Sequence, residues 1–139
     1  MILSFPSSKI KLYMASAKPK ILLIEDDDDQ SMMYEIALKN GGFRVVKAVN
    51  GKQGMIMALK ERPDLILLDL VLPDMPGQAT LAELKNIHAT KDITVVILSN
   101  LNKKEVIEEC LKLGAADFII KMQFLPREVA AKAQRYLKN

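Results

Sequence analysis

The stretch ILLIEDDDDQ, residues 21–30, runs four aliphatic residues straight into five consecutive acids, Glu25 to Asp29. A block of like charge ordinarily repels itself into solvent. Here the block closes an unalternating apolar run, the pattern of a strand covered on both faces. Working outward, three more aliphatic runs appear at Leu65–Leu68, Thr94–Leu98 and Phe118–Ile120, and a weaker fifth at Phe43–Val46.

Between these runs the spacing turns helical. Met32, Met33, Ile36 and Ala37 form a stripe before the stop Asn40-Gly41-Gly42, and Met55, Ile56 and Leu59 follow the cap residue Asn50. Leu81, Leu84 and Ile87 follow Gly77, while Val106, Cys110 and Leu113 share a face ended by Gly114. The last helix starts at Pro126, a residue favoured in a first turn, and carries Val129, Ala133 and Tyr136 or Leu137. Of the eight methionines, Met32, Met33 and Met55 fall on these stripes and read as core filler. Strand and helix thus alternate five times. That order predicts one α/β domain with a parallel sheet, helices on both faces and right-handed crossovers. In such sheets ligands bind beyond the carboxyl ends of the strands.

Bulk composition narrows the function classes. The net charge of +3 comes from residues 1–19, which hold Lys9, Lys11 and Lys18 and no acid, so the body is neutral. No aromatic-rich basic patch points to a nucleic-acid-binding face. The lone Cys110 excludes an internal disulfide framework and fits a reducing, cytoplasmic setting. No apolar run approaches the roughly 20 residues that span a bilayer. Residues 1–18 end in an A-x-A-like Ala15–Ala17, but Pro6, Lys9 and Lys11 interrupt any apolar signal region. They read as a flexible extension, with the domain over 19–139.

The chemistry lies just past the strands. Glu25 and Asp26 follow the first, Asp69 the third, Ser99 and Asn100 the fourth, and Lys121 the last. In a parallel sheet these ends share one edge, so three carboxylates, a hydroxyl and an ammonium converge. Crowded carboxylates raise one another's pKa unless a cation intervenes. Either protons or a metal must neutralise them, and hard oxygen donors without Cys or His favour Mg²⁺. An ionised Asp69 is then a nucleophile toward phosphorus, forming an acyl phosphate. Lys121 and the metal would neutralise the transferred oxygens.

With Glu25-Asp26, Asp69 in LLDLVLPDMPG, Pro73 and Gly77 after it, Ser99 and Lys121, the chain from about residue 20 to 138 resembles a response-regulator receiver domain of two-component signalling. Spacings of 43, 30 and 22 residues separate Asp26, Asp69, Ser99 and Lys121, in agreement with that family. The resemblance implies a chemotaxis-regulator-like (βα)5 fold with strand order 2-1-3-4-5. It implies that Asp69 is the phosphoacceptor, and that Asp26, Asp69 and the Val71 backbone carbonyl bind Mg²⁺ (or Mn²⁺ in its place), with Glu25 acting through water. Ser99 and Lys121 would contact the phosphoryl group, and Phe118 matches an aromatic whose rotamer follows phosphorylation. The implied partners are a histidine kinase or histidine phosphotransfer protein and a downstream protein target. By the same resemblance the target would bind the face formed by the fourth helix, fifth strand and fifth helix. Neither nucleic acid nor membrane is implied as a direct ligand.

Two positions depart from the family pattern. Met122 stands where proline usually follows the lysine, so either a trans Lys121–Met122 bond with a shifted loop or a strained cis bond is expected. Asn100 replaces a small residue after the hydroxyl, where it would narrow access or add a hydrogen bond. Val71 and Leu101 are apolar and flank the path of attacking water, which predicts slow self-dephosphorylation. Two rival functions are weaker. A magnesium phosphohydrolase wants an aspartate two residues past the nucleophile, where Val71 stands. A phosphorylation-independent interaction module, or pseudo-receiver, would lack the acidic pair, nucleophile or lysine, and all are present.

Overall fold

A computed structural model gives the fold and describes residues 8–9 and 18–137. The extension expected over 1–18 therefore lies, apart from Ser8, Lys9 and Lys18, outside the described residues. Strands β1 (Lys20–Ile24), β2 (Arg44–Ala48), β3 (Leu65–Leu68), β4 (Thr94–Ser99) and β5 (Asp117–Ile120) form one sheet in the order β2-β1-β3-β4-β5. Every pairing is parallel. Helices α1 (Asp28–Asn40), α2 (Gly51–Glu61), α3 (Gly77–Asn86), α4 (Lys104–Lys112) and α5 (Pro126–Arg135) connect or follow the strands. The expected doubly wound fold and its strand order are both present.

Alternation along the central strands divides the core in two. Leu22, Ile24, Ile66, Leu68, Val95 and Ile97 pack with α2, α3 and α4 through Met55, Leu81, Leu84 and Cys110. Ile21, Leu23, Leu65, Leu67, Val96 and Leu98 face the opposite way, against Tyr34 and Leu38 of α1 and Val129 and Ala133 of α5. Both faces are covered, which is why these strands carry no polar alternation.

Local signals set the helix ends. Asp27 caps α1, its Oδ1 accepting from the Gln30 N–H at 2.8 Å, and Asn50 caps α2 in the same way toward Gln53 at 2.7 Å. Pro126 opens α5 as expected. Gly114, just past α4, has φ of 109°, a conformation other residues rarely adopt.

The helical stripe expected in α1 is wrong. Met32, Met33 and Ile36 are exposed, and the buried residues are Ser31, Tyr34 and Leu38. The face α1 turns inward is the one that meets the sheet and α5, and apolar residues also occupy its outer face. In α2, Met55 is buried, but Ile56 and Leu59 are exposed and Gly54 and Ala58 take their place in the core. The helix approaches so closely that a Cβ at Gly54 would stand 2.5 Å from Ile24 Cδ1. Met122 is exposed as well, so the methionines are less a core filler than their spacing suggests.

Candidate functional site

The residues past β1, β3, β4 and β5 meet at one edge, where Glu25, Asp26, Asp27, Gln30, Asp69, Val71, Ser99, Asn100, Leu101 and Lys121 line a cavity of about 340 Å³. Parallel pairing is the cause: Ile24 pairs with Leu68, Leu68 with Ile97, and Ser99 with Ile120, so the chain leaves each of these strands on the same side of the sheet.

Lys121 holds the centre. Its Nζ donates to Glu25 Oε1 at 2.6 Å, Gln30 Oε1 at 2.7 Å and Asp69 Oδ2 at 2.9 Å. Glu25, Asp69 and Lys121 are all buried. Asp69 Oδ1 accepts from the Val71 N–H at 3.3 Å, and Glu25 Oε2 from the Asp27 N–H at 3.1 Å. Ser99 is buried, its Oγ accepting from the Leu101 N–H at 3.3 Å. Carboxylate oxygens of Glu25, Asp26 and Asp69 lie within 4.8 Å of one another, with Asp26 the exposed member.

Electrostatics reflect that count of charges. Burial raises the Glu25 pKa, opposed by the Lys121 hydrogen bond and reinforced by the negative Asp69. Burial works against the Lys121 ammonium, yet the hydrogen bonds and charges of Glu25 and Asp69 outweigh it and raise its pKa. The two shifts differ in origin: burial leads the rise at Glu25, whereas the two acidic partners carry the rise at Lys121. A divalent cation fits this donor set, which offers hard oxygens at an open mouth and neither Cys nor His.

The loop after β3 is tightly held. Gly77 donates its N–H to the Leu70 carbonyl at 2.9 Å. A Cβ at Gly77 would collide with the Asp69 carbonyl oxygen and with Leu70 Cα at 2.6 Å, so no larger residue fits without moving the Asp69 backbone.

Ten sequence candidates are thus accounted for in position. Glu25, Asp26, Asp69, Val71, Ser99, Asn100, Leu101 and Lys121 share the cavity. Met122 is at its rim through an amide donated to Asn100 Oδ1 at 2.8 Å. Phe118 lies away from the cavity lining, half-buried against the core on the α2–α3–α4 side. The Lys121–Met122 bond is trans, and Lys121–Gln123 form a 3₁₀ turn. Gln30 was missed; it lies in the first turn of α1, three residues past the cap Asp27, and joins the site by accepting from Lys121 Nζ. Asp27 caps α1 and also lines the cavity.

An acid cluster bridged by a buried lysine, at the carboxyl edge of a 2-1-3-4-5 parallel sheet, defines a class of α/β signalling domain. The family model for the response regulator receiver domain matches residues 21–133, and the chain belongs to that family, the receiver domains of two-component response regulators. The DNA-binding dual master transcriptional regulator RpaA of a Synechocystis strain is 34% identical over 121 residues, 87% of this chain and 50% of RpaA. The chain spans about half the length of the curated relatives it matches. The phosphorylated cyanobacterial phytochrome response regulator RcpA superposes with a TM-score of 0.78 at 31% identity, over 88% of this chain and 96% of that one. The Mn²⁺-bound form of response regulator Rcp1 gives 0.74 at 26% identity, over 87% and 96%. Among the described residues, no helix is long and apolar enough to cross a membrane.

Proposed function

We propose that Asp69 accepts a phosphoryl group from the phosphohistidine of a histidine kinase or histidine phosphotransfer protein. The observation that carries this reading is the buried contact of Lys121 with both Asp69 and Glu25 at an open acidic cavity. A carboxylate oxygen of Asp69 bonds to phosphorus as the P–N bond breaks, and the electron pair leaves on the imidazole nitrogen. Lys121, already 2.9 Å from Asp69 Oδ2, is positioned to neutralise charge on the transferred oxygens. Ser99 would turn its hydroxyl from the Leu101 amide to donate to one of them.

Asp26, Asp69 and the Val71 carbonyl would hold Mg²⁺ or Mn²⁺, with Glu25 acting through water. A bound cation would supply further charge neutralisation at the phosphoryl oxygens. That response regulator Rcp1 is known in a Mn²⁺-bound form supports a divalent cation here. The acyl phosphate adds charge and acceptor oxygens at the end of β3 and biases a two-state equilibrium in the α4–β5–α5 face. Phe118, on β5, is the side chain proposed to report it. The output is binding of a downstream protein, not turnover of a small substrate. A pseudo-receiver is disfavoured because the acidic pair, Asp69 and Lys121 are all present at one cavity.

Incubation with a small phosphodonor and Mg²⁺, followed by intact-mass measurement, tests the reading. One phosphoryl adduct is expected on the wild type and none on Asp69→Asn. No adduct on the wild type, or an equal adduct on the variant, overturns it.

A further inference from the structure

The ladder between β4 and β5 ends at the pair Ser99↔Ile120. Past it, one side-chain bond joins the two segments: Asn100 Oδ1 accepts from the Met122 N–H at 2.8 Å. The turn it reaches, Lys121–Gln123, is a short 3₁₀ segment closed by a long bond from the Phe124 N–H to the Lys121 carbonyl at 3.3 Å. Such turns have poor hydrogen-bond geometry and little rigidity of their own. Met122 is 71% exposed, so its amide is the residue's clearest tie to the site. The two unusual positions of the site are therefore partners. Asn100 supplies an acceptor, and Met122 supplies an N–H that a proline would lack.

This bond sits between two groups of one reaction. Asn100 follows Ser99, and Met122 follows Lys121. We infer that Asn100 is a positioning residue, which fixes the backbone of Lys121 through the Met122 amide and so holds its ammonium in line with Asp69. The Lys121 side chain has many rotatable bonds, and its three acceptors constrain only the tip. A loosened turn leaves the tip attracted to the acids but spreads it over geometries that do not serve transfer. The inference rests on the proposed phosphoryl transfer to Asp69.

Asn100→Ala should speed hydrogen exchange at the Met122 amide and slow phosphorylation by a small phosphodonor with Mg²⁺, each by about 3- to 10-fold. The thermal unfolding midpoint should fall by no more than a few degrees, because Asn100 is exposed. Asn100→Asp keeps an acceptor oxygen and should restore both exchange protection and rate to within about 2-fold of wild type when measured in high salt. A rate in Asn100→Ala equal to wild type, or an aspartate variant as slow as the alanine one, overturns the inference alone. A wild-type chain that takes no phosphate overturns the proposed function, and the inference with it.

Discussion

Glu25 and Lys121, 96 residues apart in the chain, meet at 2.6 Å in the interior, and Asp69 stands 2.9 Å from the same ammonium. One cation is shared between carboxylates contributed by two other strand ends. Lys121→Met would leave Glu25 and Asp69 buried without it. Removing one partner of a buried ion pair typically costs about 3–5 kcal/mol. The loss should be large in a chelator-containing buffer and smaller with Mg²⁺, which would replace the missing charge. Denaturant unfolding of both proteins under both conditions is the check; a deficit indifferent to Mg²⁺ would remove the case for a cation at these acids.

Val71 and Leu101 are 58% and 43% exposed at the mouth of the cavity, and neither can orient a water. The double change Val71→Asn, Leu101→Glu places polar groups along that approach. The phosphoryl lifetime on Asp69 should shorten on the order of tenfold or more. Following the adduct by mass over time decides it, and an unaltered lifetime would show that these side chains do not govern hydrolysis.

The face of α1 yields a stability test. Leu38 is fully buried against the α5 side of the sheet, so Leu38→Ala should lose about 2–5 kcal/mol. Ile36 is 55% exposed, and Ile36→Ala should stay within about 0.5 kcal/mol of wild type. Equal losses in equilibrium unfolding would mean that the helix is rotated.

Burial pushes the Cys110 thiol up to about 11, with Glu109 adding to the rise. The folded state therefore favours the neutral thiol, and the stability this gives is complete below the ordinary thiol range and lost as pH rises through it toward 11. At pH 8, alkylation of the folded protein should be at least roughly 100-fold slower than that of the unfolded chain. Fast modification without denaturant would contradict the buried position on α4.

The sheet and most of the site were legible because each central strand is a pure apolar run with its polar residue directly after it. Ile21–Ile24 leads to Glu25, Leu65–Leu68 to Asp69, and the run in β4 to Ser99. Parallel topology does the rest, since it sends all those residues to one edge. The helices were less legible. α1 offers Met32, Met33 and Ile36 as readily as Tyr34 and Leu38, and periodicity alone cannot say which side the sheet and α5 will cover. In α2 the buried positions include glycine and alanine, which carry little hydrophobic signal but permit close packing. Gln30 escaped because an amide in a first turn is ordinarily a solvated residue; only the reach of Lys121 makes it part of the site. The Asn100 bond to the Met122 amide joins residues 22 apart and has no sequence signature beyond two unusual neighbours.

The contact of Gly77 with the main chain of Asp69 and Leu70 makes the site mechanically lopsided. The first turn of α3 is wedged against the very segment that carries Asp69, like an anvil behind it. Charge added to Asp69 in the proposed phosphorylation would meet no slack on that side, and any displacement would fall to the segments beyond β4 and β5. Those segments lead directly into α4 and α5, so a shift there would be carried to the proposed partner face.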